Sequence, residues 1–187
     1  YYGYGLSGGK LMIQSCYSTG TISGNNSGGI CGYGYGVVAT GGILTIQACY
    51  STGEINGNSS GGICGDSYGN QASGGTFTIN NCYSIGNISN NSGGIISTNC
   101  GQNASVTVPI NVNNCYTIGT FTNSNGIFGP NLILGTQTNC ISSGNNTWLD
   151  SNATSTINKN QTTTWLSFQN NTPWLLQNNN VVLMNIT

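Results

Sequence analysis

The chain has almost no charge. Of its 187 residues only Lys10, Lys159, Glu54, Asp66 and Asp150 are charged at neutral pH, 3% of the total, where globular domains carry about 25%. It has neither Arg nor His. Each absence closes a class of function. Nucleic-acid binding needs clustered cations against phosphate, and two lysines at opposite ends of the chain cannot supply them. No run of about eighteen apolar residues is present, and no basic amphipathic stretch, so no membrane span and no surface-lying helix is expected. Glycosidases need two carboxylates about 5 to 10 Å apart. Here Glu54 and Asp66 fall in neighbouring strands of one repeat, without a basic partner or a counterpart in other copies. Hydroxyl nucleophiles are plentiful, but no His or nearby Lys stands ready to activate one. The expectation is a non-enzymatic protein without cofactor, metal or catalytic residue.

Neutral polar groups replace the charges: thirty Asn, thirty Gly and forty-three Ser or Thr. AT-rich coding would raise Lys together with Asn, and Lys is nearly absent, so the lack of charge points to selection. The hydrophobic share, 36%, is ordinary and allows one substantial core.

One phrase recurs at a fixed interval. It reads CYSTGTISGNNSGGICG from Cys16, CYSTGEINGNSSGGICG from Cys49, CYSIGNISNNSGGII from Cys82 and CYTIGTFTNSNGIFG from Cys115, with a degraded fifth copy at Cys140. A constant period in this range marks stacked repeats. Three apolar columns run through the copies: Ile13, Ile46, Ile79, Val112; Ile22, Ile55, Ile88, Phe121; and Ile30, Ile63, Ile95, Ile127. Each sits in a short segment with two-residue alternation and β-branched residues, bounded by Gly, Asn and Ser, which is a strand and turn pattern. Helix formers are scarce, which excludes helical repeats of similar period. The expected fold is all-β, a right-handed parallel β-helix (β-solenoid) with one repeat, the interval from Cys16 to Cys49, in each coil. Repeats starting near 13, 46, 79, 112 and 137 would fill residues 1–144, giving four or five coils and a rod about 20 to 25 Å long. Residues 145–187 break the pattern and hold Trp148, Trp165 and Trp174, which suits a C-terminal cap or a subunit-docking segment. The opening YYGYGLSGGKLMIQSC matches the interior of the second copy, so the chain is expected to begin inside a longer precursor.

Eight cysteines with no His and no metal-binding spacing point to disulfides in an oxidising compartment. Cys16, Cys49, Cys82, Cys115 and Cys140 share one column, and Cys31 and Cys64 another. Ile96 takes the second column in copy three, with Cys100 four residues on as a displaced partner, and Phe128 takes it in copy four. One pairing joins Cys16 with Cys31, Cys49 with Cys64, Cys82 with Cys100 and Cys115 with Cys140. A shifted pairing (Cys31 with Cys49, Cys64 with Cys82, Cys100 with Cys115) leaves Cys16 and Cys140 for bonds between subunits. Tyr17, Tyr50, Tyr83 and Tyr116 follow the column cysteines and are expected to stack outward as a ladder, either reinforcing the sheet or presenting an interface. Gly20, Gly53, Gly86, Gly119 and Gly29, Gly62, Gly94, Gly126 form columns at expected corners, where positive φ or close approach demands glycine. Asn25, Asn58, Asn87, Asn90, Asn103, Asn145, Asn152, Asn160, Asn170 and Asn185 stand in glycosylation sequons, little more than composition alone would give.

The phrase CYSTGxIxGNxSGGICG resembles the glycine-rich GLUG repeats of bacterial adhesin-like surface proteins and of repetitive proteins in large viruses. The resemblance spans about Gly8 to Gly144 and extends to the tail TTTWLSFQNNTPWLLQNNNVVLMNIT. It implies a parallel β-helical stalk with an adhesive or structural role and no catalytic residue. Two readings follow, both extracellular: a subunit of a cell-surface or virion-surface fibre that self-associates into a homopolymer, or an adhesin stalk that binds glycans or a host surface. Ice binding is weaker, because the Thr19 and Thr52 column turns into Ile85 and Ile118.

Overall fold

The computed structural model describes residues 5–104, 110–124, 126–129, 136–138, 140–144, 147–150, 156–158, 174–177 and 180–183. Among them the chain is all-β without a helix, wound into a β-solenoid in which each coil lays one repeat over the next. One face is a parallel sheet of β1 (Lys10–Gln14), β3 (Thr40–Gln47), β5 (Gly74–Asn80), β8 (Ile110–Asn113) and β11 (Thr136–Thr138), stacked in that order. A second parallel run stacks β2 (Tyr17–Ser18), β4 (Tyr50–Ser51), β6 (Tyr83–Ser84), β9 (Tyr116–Gly119) and β12 (Ile141–Gly144). The third side is thinner. It holds β7 (Ile88–Ser89) against β10 (Phe121–Thr122) and single bridged positions such as Ile22 to Ile55, Gly28 to Gly61 and Cys31 to Cys64.

The register stacks like on like. Ile13 lies over Ile46, Ile46 over Ile79 and Ile79 over Val112, and alternation along each strand turns these residues inward. Ile46, Ile79 and Val112 are fully buried with Leu44, Phe77, Ile110, Ile63 and Ile95 in one core. The Ile22, Ile55 and Ile88 column, with Phe121, forms a separate cluster. All three apolar columns expected from the repeat are therefore present.

The glycine columns have a narrower reason than the sequence suggests. Neither column has positive φ. Instead, the corners between the first and second strands fall on Ser15, Ala48, Asn81 and Asn114, with φ of 55°, 51°, 52° and 51°. Asn tolerates this left-handed conformation better than most residues. The corner amide then bonds to the next coil, as in Ala48 N–H to Asn80 O at 3.1 Å and Asn81 N–H to Asn113 O at 3.0 Å. The glycines serve close approach: a Cβ on Gly86 would lie 1.9 Å from the Gly53 carbonyl oxygen, and one on Gly62 would lie 2.1 Å from that of Gly94.

Two deletions break the period, one between copies two and three and one between copies three and four, where Phe121 lies a full repeat from Ile88 but Phe128 pairs with Ile96 one position short. In the first, Ile55 pairs with Ile88, a full repeat on, but Gly61 pairs with Gly93 and Cys64 with Ile96, each one position short of a full repeat. The lost residue is absorbed at the second corner, where Asn90 and Asn91 both adopt positive φ (57° and 58°). The full spacing has returned by the pairing of Phe77 with Ile110.

Beyond Gly144 the direction changes. β13 (Thr147–Asp150) pairs antiparallel with β12, and β14 (Thr156–Asn158) antiparallel with β13. β15 (Trp174–Gln177) and β16 (Asn180–Leu183) form a further antiparallel pair. Trp148 lies opposite Ser143 and Ile157, and Trp174 opposite Leu183. Trp165 falls outside the described residues.

The glycine column yields a paired test. Gly86→Ala meets backbone oxygen and is expected to lower stability in urea unfolding by about 1 to 3 kcal/mol. Gly20→Ala, in the same column at the open end with nothing within 4 Å of the new Cβ, is expected to change it by less than about 0.5 kcal/mol.

Candidate functional site

The features that carry chemistry are stacked columns and the end at which they open. All eight cysteines stand as free thiols in this structure, which gives the expected disulfides no support. The coil sets sulfur over sulfur along the axis rather than joining the two columns across a coil. Cys64 lies against Cys31, Cys82 against Cys49 and Cys115, and Cys115 against Cys140, close enough to influence one another's ionisation. Of the expected pairs, only Cys115 with Cys140 follows this axial pattern. In the longer column each thiol also donates to a carbonyl oxygen: Cys16 to Gln14 (3.3 Å), Cys49 to Gln47 (3.2 Å), Cys82 to Asn80 (3.3 Å), Cys115 to Asn113 (3.2 Å) and Cys140 to Val112 (3.2 Å). Burial, and then the neighbouring thiols, push Cys64 and Cys115 well above the usual thiol range. Cys16 at the open end is exposed and the other seven are buried.

Cys100 is not a displaced member of the second column. Ile96 occupies that column, bridged to Cys64 on one side and Phe128 on the other. The shortened offset places Cys100 instead beneath Tyr68: Gly69 N–H bonds to Tyr35 O and, one coil on, Gly101 N–H bonds to Tyr68 O. Tyr35 and Tyr68 are an inner pair that the repeat phrase does not announce. Their rings stack with centroids 5.6 Å apart, Phe77 meets Tyr68 edge-on, and all three are buried.

The outer tyrosine ladder is present. Tyr17, Tyr50, Tyr83 and Tyr116 stack with centroids 5.3, 4.9 and 4.9 Å apart and nearly parallel rings. As an interface it is shorter than expected, because exposure falls from 66% at Tyr17 through half-buried Tyr50 to 7% at Tyr83 and 0% at Tyr116. Only the two rungs nearest the open end face solvent.

Asp66, the only carboxylate in the core among the described residues, is held by neutral donors. Thr98 Oγ1, Asn99 Nδ2 and Ser67 Oγ donate to it at 2.7, 2.9 and 2.9 Å. Glu54 is exposed and accepts from Asn87 Nδ2 at 3.5 Å. Among the described residues no group of three or more Cys, Asp, Glu or His is placed to hold a metal ion, and no helix is long and apolar enough to cross a membrane. Asn25, Asn58, Asn87, Asn90 and Asn103 are exposed, while Asn145, Asn152, Asn160, Asn170 and Asn185 lie outside the described residues. The side chains of Asn25 and Asn87 accept from the next coil's amides at Asn58 (3.2 Å) and Thr120 (3.1 Å).

Among the described residues the core is uncovered beside the first coil. A cavity of 610 Å³ is lined by Leu11, Ile13, Ile30, Cys31, Gly32, Tyr33 and Tyr35. These are positions that the following coils cover, as with Ile46 and Ile63, both fully buried. In comparisons with known proteins, no family model, curated protein or solved structure matches the chain.

Two measurements check this arrangement. In the native reduced chain, a thiol reagent such as Ellman's is expected to modify Cys16 promptly and the other seven thiols only after unfolding. Burial, with Tyr50 alongside, pushes the Tyr83 hydroxyl up to about 12. A folded pKa above the unfolded value gives stability that is complete below about pH 10. That stability is lost as pH rises through the folded value. Urea unfolding is therefore expected to show stability falling between pH 10 and 12, with a shallower fall in Tyr83→Phe.

Proposed function

We propose that this chain is a non-enzymatic structural subunit of an extracellular or virion-surface filament, built by stacking solenoid ends head to tail. The observation that carries the reading is the uncovered edge of the first coil among the described residues. β1 and β2 are the terminal strands of their sheets, and the apolar cavity beside them exposes core positions to water at about 25 cal/mol for each Å². An open parallel edge invites another strand.

The far end offers strands of the right sense. β11 closes the first sheet and is parallel to β8; β14 closes the second and, after two antiparallel steps, runs with β12 and hence with β2. Both C-terminal edges thus run as β1 and β2 run, which favours parallel addition of a second copy in the head-to-tail sense. A surface with 3% charged residues sets up little repulsion between copies. Disulfides have no part in the reading; the backbone ladder and the buried columns supply the cohesion.

Glycan binding is the second reading. The partly exposed rows Thr45 and Thr78, Gln47 and Asn80, and Asn111 and Asn113 favour it, since they form a flat neutral face suited to hydroxyl-rich ligands.

The edge itself can be tested. Hydrogen bonds between β1 and its neighbour involve Gly9 and Ser15, so by alternation Lys10, Met12 and Gln14 turn their amides to the open edge. Met12→Pro removes one such donor and no bond within the coil. The wild-type chain is expected to form filaments of regular subunit repeat in negative-stain microscopy, and the Met12→Pro chain to stay a folded monomer. Monodisperse wild-type monomers that retain glycans on an array would replace the filament reading with the second one.

A further inference from the structure

The outer side of the first sheet carries two straight rows of neutral side chains. Alternation turns Thr45, Gln47, Thr78, Asn80, Asn111 and Asn113 outward, each half-buried, while the residues between them turn into the core. Gln14 lies over Gln47, Gln47 over Asn80 and Asn80 over Asn113, which sets four carboxamides on successive rungs. Beside them Met12, Thr45, Thr78 and Asn111 form the second row. Rungs repeat at about 4.8 Å, and the rows, two residues apart along each strand, lie about 6.6 Å from one another. Neither row holds a charge or an aromatic ring. Asn114 Nδ2 donates to Asn80 Oδ1 at 3.3 Å, so the amide nitrogen is the end of Asn80 that meets a ligand.

We propose that this face binds the surface of an insoluble, neutral polysaccharide whose chains are stacked through acetamido groups, the β-1,4-linked N-acetylated amino-sugar class. The inference rests on the glycan reading and names its ligand. In such a solid the acetamido groups of neighbouring chains join as N–H to O=C ladders. The amide hydrogen bond that sets their repeat also sets the spacing of strands in a sheet, so the two ladders keep step from rung to rung. Each carboxamide offers N–H donors and an acceptor oxygen, and so answers either end of an acetamido group. The backbone fixes the row in advance, which lowers the ordering cost of binding. Met12 and Ile43, exposed on the same face, suit the acetyl methyls. Acidic or sulfated polysaccharides find no cation in the rows. A polymer that relies on stacking its sugar rings finds no aromatic platform.

The test mixes the full chain with crystalline chitin, with cellulose, and with chitosan held neutral in mildly alkaline buffer, and measures the protein left in solution. Wild type is expected to bind chitin at least tenfold more tightly than either comparison, and equally well at high salt because no ion pair forms. Gln47→Leu combined with Asn80→Leu removes two adjacent carboxamides and is expected to weaken binding at least tenfold while circular dichroism stays unchanged. Gln47→Glu keeps the shape of the side chain and removes its donor. It is expected to weaken binding several-fold, and it carries the test where the double variant does not fold. Ser23→Ala, beside Ile22 on the third side, is expected to bind as wild type does. Equal binding to chitin and cellulose leaves the glycan reading standing and overturns the acetamido assignment. Unchanged binding in a folded carboxamide variant, or binding lost at high salt, overturns that assignment too. Binding to none of the three overturns it together with the glycan reading.

Discussion

Everything in this molecule depends on one coil hydrogen-bonding to the next in register. Tyr50 N–H to Cys16 O, Tyr83 N–H to Cys49 O and Tyr116 N–H to Cys82 O, each 3.1 Å, are three rungs of the same bond. Because the offset is constant along this column, each side chain meets its own counterpart above and below. Identical residues recur at about 4.8 Å, and only residues that tolerate their own kind at that distance can fill a column. Isoleucine packs on isoleucine, tyrosine stacks on tyrosine, and glycine admits a carbonyl oxygen where any side chain would collide.

The same constraint gives a reason for the missing charge. Like charges about 4 Å apart repel by about 1 kcal/mol even in water, and a charged column would repeat that cost at every rung. The charges that do occur in the coils have neutral neighbours. Glu54 faces Asn87, and Asp66 is enclosed by Ser67, Thr98 and Asn99. The neutral exterior is thus a condition of the stack.

Much of this was legible in the sequence because a solenoid turns periodicity directly into contact. The apolar columns, the stacking of the tyrosines and the change of regime after Gly144 all follow from aligning the copies. Cys100 shows where alignment fails. The deletion between copies two and three is absorbed at a corner, and its effect downstream is to move Cys100 under Tyr68. The glycine columns show a second limit. Recurrence marked them as obligatory, but only the coordinates distinguish close approach from positive φ, which falls instead on Ser15, Ala48, Asn81 and Asn114. The inner Tyr35 and Tyr68 pair was hidden because the third copy carries Cys100 in its place.

The sequence by itself determined the repeat, the β class, the composition of each column and the absence of charge, since each is a property of residues taken one repeat at a time. The tertiary structure decided which neighbours those columns acquire. It turned the cysteines into axial ladders of free thiols, because stacked strands bring equivalent sulfurs closer than sulfurs of different columns. It buried Tyr116 while leaving Tyr17 in solvent, and it opened the core at the first coil beside Cys31. Equivalent positions in a repeat have equal residues but unequal surroundings, and position along the stack is what distinguishes them.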